Sequence, residues 1–214
     1  MRLLEYGPTA WLVELDGGHD DVFAWADAIR AGTVGDDLID VVPGATTVLV
    51  SMRTGVDRRT IAERIEALRP PTRAQREATD VAEGRDVIEI PVVYDGVDLG
   101  DVADATGSTT AEVIERHAAA TYRCAFCGFA PGFAYLTGLN PSLVLARRET
   151  PRTRVPAGSV AIAAEYTAVY PTASPGGWHL IGRTDAPLWD IARRPPAMIE
   201  PGALVRFVPL RGDG

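Results

Sequence analysis

From Cys124 to Ala146 the chain carries no charged side chain. An uncharged run of that length raises the question of a membrane span, and its own residues argue against one. Pro131, Pro141 and the glycines at 128, 132 and 138 would interrupt a helix and leave backbone groups without partners in lipid. The run therefore reads as buried strand and loop. It also sets the texture of everything after Arg123. CAFCGF, GFAYLTGL, SLVLARR, GSVAIAAEYTAVY, GWHLIGRT and LVRFVPL are short β-type segments punctuated by Gly and Pro. Many short strands with such turns predict a closed or sandwiched β architecture.

The first part of the chain has a different rhythm. Residues 9–15 alternate as a strand, and residues 20–32 place Val22, Trp25, Ala26 and Ile29 at helical spacing before Gly32. Residues 38–42 and 46–52 read as strands joined around Pro43-Gly44. Residues 57–69 put Ile61, Ile65 and Leu68 on one helical face and stop at Pro70-Pro71. Residues 70–86 are polar and poorly periodic, as a linker is, and 87–94 form another strand. The order β-α-β-β-α-β is that of a ferredoxin-like split βαβ unit. The last strand either completes that sheet or opens the next domain. Residues 97–107 suggest a short helix, and 108–122 a longer one with a capping box between Thr109 and Glu112. The expected class is α+β, with a small α/β domain over 1–86 and a β-rich domain over 87–214.

The net charge of −8 and the pI of about 4.9 disfavour nucleic acid and anionic membrane surfaces as partners. MRLLEYGPTAW has no apolar stretch of the signal-peptide kind, and two cysteines suit a reducing compartment, so a cytoplasmic location is expected. All 21 basic residues are Arg. The absence of Lys excludes a biotinyl-lysine, a Schiff base and the Walker A lysine together.

Four features could carry chemistry. Cys124 and Cys127 form a C-x-x-C, but residues three apart in an extended strand point to opposite faces. No second C-x-x-C is present, so no metal site is expected, and core thiols and redox chemistry are the two readings. His117 follows Val113 and Ile114 on a helical face, where it is either a hydrogen-bonded core residue or a base. Arg147, Arg148, Arg152 and Arg154 crowd one loop, suited to bidentate carboxylate recognition or to ion pairs with Asp. Gly176-Gly177, followed by Trp178, His179 and Arg183, allows close approach of a backbone and donors for an oxyanion.

GFAPGFAYLTGL, PRTRVPAGSVAIA and YPTASPGGWHLIGRT, in this order and spacing, resemble the allophanate hydrolase subunit 1 family. The same family supplies the B component of 5-oxoprolinase, and includes an inhibitor of a sporulation histidine kinase. IPVVYDG and ERHAAATYR resemble the family's central segment. The resemblance runs over essentially the whole chain and is weakest in the first 85 residues. The family keeps Gly-Phe-x-Pro-Gly-Phe at Gly128 to Phe133 but has no C-x-x-C, so the cysteines read as incidental. The chain departs from the family at Ala146 (usually Pro), at Ala163–Ala168 (usually a Gly-rich turn) and at Ala203 (usually Asp).

The resemblance implies a small α/β N-terminal domain, in agreement with the ferredoxin-like order read above, and a C-terminal cyclophilin-like β-barrel. It implies a larger sister subunit (allophanate hydrolase subunit 2, the C component of 5-oxoprolinase) and a third, the A component. The assembly would open 5-oxo-L-proline to L-glutamate at the expense of ATP, bound mainly on another subunit, with no metal or biotin on this chain. Under that reading Arg152, Arg154 and the backbone at Gly176 and Gly177 bind substrate, and His117 and His179 are the catalytic candidates. True allophanate hydrolysis belongs to an amidase fold with a Ser-Ser-Lys site, which a lysine-free chain lacks. Two alternatives stay open: a regulatory module that inhibits a histidine kinase, and a carboxyltransferase component of a urea-carboxylase-like enzyme.

Overall fold

The computed structural model describes residues 1–16, 19–32, 37–72, 74–76, 79–80 and 86–210. The chain divides into two compact units, Met1–Arg85 and Asp86–Gly214. Part of the expected linker (73, 77–78 and 81–85) and the C-terminal 211–214 lie outside the described residues.

The first unit contains β1 (Arg2–Glu5), β2 (Ala10–Glu14), α1 (His19–Gly32), β3 (Leu38–Pro43), β4 (Thr47–Met52) and α2 (Arg58–Ala67). Its sheet has the order β1-β2-β4-β3, antiparallel throughout. The β-α-β-β-α part of the expected order is there, but the closing strand is not residues 87–94. That edge is filled by Arg2–Glu5, a strand the sequence reading omitted, which pairs with Trp11–Glu14. Strand alternation and helical spacing meet in one cluster. Val13, Val48 and Val50 from the sheet pack with Val22, Ala26, Ile29, Ile61 and Ile65 from the helices. Asp57 caps α2, its side chain accepting from the Arg59 amide.

The second unit begins with β5 (Val87–Val92), followed by α3 (Leu99–Ala105), α4 (Thr110–Ala119), β6 (Tyr122–Cys127) and β7 (Ala134–Thr137). It continues with β8 (Arg152–Val155), β9 (Ser159–Ala163), β10 (Tyr166–Val169), β11 (Ser174–Gly176), β12 (His179–Arg183) and β13 (Leu204–Pro209). Seven strands form one sheet in the order β12-β9-β10-β7-β6-β13-β5, and β8 and β11 form a separate ribbon. Only the β5–β13 pair is parallel. Just beyond β5, Val93 and Arg183 exchange backbone hydrogen bonds of 2.9 and 2.8 Å. The first and last strands of the sheet thus meet, and the sheet is a nearly closed barrel. The join is tight: a Cβ on Gly96 would lie 2.3 Å from the Leu180 carbonyl oxygen.

Strand alternation sorts this unit's apolar residues into two clusters on opposite sheet faces. Val160 and Ile162 join Ile90, Val92, Leu136, Val205 and Phe207, with Val102 of α3 and Val113 of α4. The intervening Ala161 and Ala163 face an aromatic cluster instead. α4 starts with the expected capping box: the Glu112 amide donates to Thr109 Oγ1 (3.2 Å), and the Thr109 amide to Glu112 Oε2 (2.8 Å). Among the described residues, no helix is long and apolar enough to cross a membrane.

Candidate functional site

The aromatic face of the barrel is built on small residues. Ala125, Ala161, Ala163 and Ala168 are almost wholly buried there, and short side chains leave room for a layer of rings. Phe126 stacks on Tyr135 at 4.3 Å, and Phe133 packs against Tyr135, Tyr170 and Trp178 at 4.9, 5.2 and 5.7 Å. These offset and edge-to-face arrangements add to simple burial.

Two segments flank this layer. One is the turn Gly128–Phe133, closed by hydrogen bonds from the Gly128 amide to the Phe133 carbonyl (3.2 Å) and from the Phe133 amide to the Ala130 carbonyl (3.0 Å). Phe129 sits in this turn at φ 70 with 63% of its surface exposed. A bulky residue in that conformation costs about 1–3 kcal/mol; the turn holds it there, with the ring edge-on to Phe133 at 5.3 Å. The other segment is the β8–β11 ribbon, where Gly176 opposes Arg152. A Cβ on Gly176 would lie 2.3 Å from Tyr170 Oη, so only glycine lets the ribbon come this close.

Between turn and ribbon lies a cleft of about 260 Å³. Phe129, Phe133, Tyr135, Tyr170 and Trp178 form its aromatic wall; Gly176 and Gly177 contribute backbone, and Pro151 and Pro175 the edge. One charged side chain lines it, Arg147, whose Cζ stands 6.0 Å from the Trp178 ring centroid. Arg147 makes no ion pair with any described residue. Burial raises the phenol pKa values of Tyr135 and Tyr170, and the Arg147 charge partly opposes both shifts.

Arg147 is held from both sides. His179 Nε2 donates to the Ala146 carbonyl (2.9 Å), which fixes the neutral ring's proton on Nε2. The Arg148 amide donates to the Gly177 carbonyl (2.8 Å). The Arg148 side chain then reaches Asp98 Oδ1 at 2.8 Å, where Arg152 Nη2 also arrives at 2.6 Å. The other oxygen of Asp98 accepts the Leu180 amide at 2.7 Å. Asp98, at the head of α3, is only 1% exposed. It anchors the basic loop to the barrel with one carboxylate and three donors.

The residues singled out in the sequence are distributed as follows. Gly176 and Gly177 line the cleft, and His179 supports its charged edge. Arg152 gives Nη2 to Asp98 and does not line the cleft, while its buried Nη1 has no hydrogen-bond partner. Arg154 is exposed on β8, without an ion pair among the described residues, and does not line the cleft. His117 lies elsewhere, completely buried beside Phe207 at 4.7 Å. Thr167 Oγ1 donates to the Ala161 carbonyl (3.1 Å) and lies 2.9 Å from His117 Nε2. Nε2 therefore carries the proton, and Nδ1 accepts from Tyr94 Oη at 2.7 Å. Burial lowers the His117 pKa to about 3. A neutral, doubly bonded ring ties α4 to the barrel. Among the described residues, no group of three or more His, Cys, Asp and Glu could hold a metal ion.

The two cysteines correct an expectation. They do not point to opposite faces. The β6–β7 register shifts between Cys124 and Phe126, so an extra residue re-phases the strand. Cys124 and Cys127 then face the same cluster, their sulfurs 3.7 Å apart, while Ala125 and Phe126 face the aromatic layer. Sequence reasoning also missed Asp98, one acid among many in an acidic chain. It noted Arg147 only as part of the Arg cluster.

The barrel-like sheet and its ribbon-edged cleft define a class of protein, and residues 1–199 match the family described as carboxyltransferase domain, subdomain C and D. The chain belongs to that family. It is 40% identical over 184 residues to the B subunit of 5-oxoprolinase from Escherichia coli O157:H7, covering 81% of this chain and 78% of that protein. The crystal structure of TTHA0988 is 31% identical with a TM-score of 0.79. The match covers 96% of this chain but only 40% of that one, so this chain corresponds to a part of the solved protein. Kluyveromyces lactis urea carboxylase, 16% identical with a TM-score of 0.66 over 98% of this chain and 22% of its own, shares the fold.

Proposed function

We propose that this chain is the B-type subunit of a 5-oxoprolinase assembly that opens 5-oxo-L-proline to L-glutamate with ATP. The observation that carries the proposal is 40% identity over 81% of the chain to a protein named as the B subunit of 5-oxoprolinase. The cleft supports it chemically. A five-membered lactam is a small, flat ring with one carboxylate. An aromatic wall suits the ring, and the Arg147 guanidinium suits the carboxylate.

A lactam is a poor electrophile, so hydrolysis needs activation. In the proposed sequence ATP transfers its γ-phosphoryl group to the lactam carbonyl oxygen. Water then adds to the ring carbon, the C–N bond breaks with a proton passing to nitrogen, and phosphate leaves. This chain's part is to hold the carboxylate and keep the ring oriented. The ATP site is assigned to another subunit, since this sequence has neither a Walker A motif nor any lysine. The cyclophilin-like character of the barrel and the partnership with C- and A-type subunits belong to the same proposal.

The test is reconstitution. The chain is co-expressed with its C- and A-type partners, and ATP-dependent glutamate formation from 5-oxoproline is measured. Activity that disappears when this chain is omitted supports the proposal. A stable complex without that activity contradicts it and favours the urea-carboxylase-like alternative. Failure to assemble favours the regulatory module.

A further inference from the structure

We propose that Cys124 and Cys127 are a redox-active dithiol, closed to an internal disulfide by a low-molecular-weight disulfide, and that closure reshapes the adjacent aromatic turn. The β6 bulge is what makes the pair. It places both sulfurs on one side of the strand, 3.7 Å apart in the reduced chain. A disulfide needs about 2.05 Å, so modest movement closes the bond.

The two thiols are not equivalent. Cys124 is completely buried, and Cys127 is partly exposed at the end of β6. Cys127 can therefore meet a reagent, and Cys124 can only meet Cys127. The proton placement agrees: the hydrogen-bonding contact between the two sulfurs holds Cys127 below its ordinary value, while that contact and burial push Cys124 up. Cys127 is the attacking thiol and Cys124 the resolving one.

The chemistry balances as two exchanges. The Cys127 thiolate attacks one sulfur of the small disulfide, forms a mixed disulfide and expels one thiolate. Cys124 gives up its proton and attacks the Cys127 sulfur, expelling the second. Two protein thiols are oxidised, and one small disulfide is reduced to two thiols.

The two cysteines are anchored unequally: Cys127 ends its ladder at the pairing with Ala134, and its thiol donates to the Ile199 carbonyl (3.6 Å). The Cys124 backbone is fixed by bonds from its amide to the Ala203 carbonyl (2.9 Å) and from the Gly202 amide to its carbonyl (2.7 Å). Cys127 leads directly into Gly128 and the turn that carries Phe129 and Phe133. Displacement of Cys127 is therefore passed to the cleft wall, whatever ligand the cleft takes.

The intact chain is equilibrated in glutathione buffers of increasing oxidised fraction, quenched in acid, alkylated with N-ethylmaleimide and weighed. The expected product loses both labelling sites together and two hydrogens, carries no glutathione, and returns to the dithiol with dithiothreitol. C124S should stop at a glutathione adduct on Cys127. Native C127S should leave Cys124 unmodified. Full labelling of both thiols in the most oxidising buffer overturns the proposal, as does a wild-type product that retains glutathione or links two chains. Amide hydrogen exchange over 128–133 should change several-fold on oxidation while 159–163 stays constant. Unchanged exchange over 128–133 overturns the coupling to the cleft.

Discussion

At the scale of single residues, the chain's buried polar groups act by being fully committed. Asp98 receives two guanidiniums and an amide, and His117 has a partner on each ring nitrogen. Asp98→Asn keeps the shape and removes the charge. The guanidiniums of Arg148 and Arg152 remain 31% and 25% exposed, so the cost should be about 2–3 kcal/mol, below that of breaking a fully buried pair. A urea unfolding midpoint unchanged by D98N would contradict the anchor. His117 gives a signed pH prediction. Its pKa falls from an ordinary 6.5 to about 3 on burial, so below 6.5 the unfolded chain takes up a proton that the folded chain does not. The stability it supports is complete above pH 6.5 and lost progressively toward pH 3, by about 2 kcal/mol at pH 5. Thermal melts of wild type and His117→Gln should converge as pH falls from 7.5 to 5. A constant difference would contradict this placement. Ala164 illustrates a local backbone cost set against one contact, its amide donating to the Leu145 carbonyl (2.6 Å). It adopts φ 49 in the β9–β10 turn, at a place where the family resemblance leads one to expect glycine.

At the scale of elements, helices were the legible part. Apolar spacing located α1, α2 and α4, and the Thr109–Glu112 box marked the start of α4, because each signal is local. Strand partners were less legible. The strand at 87–94 looks like any other buried strand, and only its register with β13 assigns it to the barrel. Likewise, the β6 bulge inverts the simple geometry of C-x-x-C, and nothing in CAFC announces it. The barrel seam offers an element-scale test. Gly96→Ala would place a methyl 2.3 Å from the Leu180 carbonyl oxygen, with the Ile181 carbonyl carbon and Gly182 nitrogen close behind. Backbone cannot yield as a side-chain tip does, so the expected loss is about 1–3 kcal/mol. Exchange of the Val93 and Arg183 amides should accelerate. Wild-type protection in G96A would show that the close approach at Gly96 is not what holds the seam.

At the scale of the whole molecule, the motifs that carried the family resemblance are those that build the cleft: the Gly-Phe turn, the basic loop and the Gly-Gly ribbon. Which arginine faces the cleft was not legible, because four arginines in eight residues differ only in where the loop turns them. Asp98 claims Arg148 and Arg152, Arg154 stands away, and Arg147 remains over Trp178. The central claim is that this guanidinium receives the substrate carboxylate. Its most direct test is Arg147→Gln in the reconstituted complex, with KM for 5-oxoproline, kcat and melting temperature measured together. Loss of a charged hydrogen-bonding partner worth about 1.5–3 kcal/mol predicts a roughly 10- to 100-fold rise in KM, with assembly and melting temperature preserved. An unchanged KM in an intact, active R147Q complex would contradict the account and move the substrate site away from this cleft.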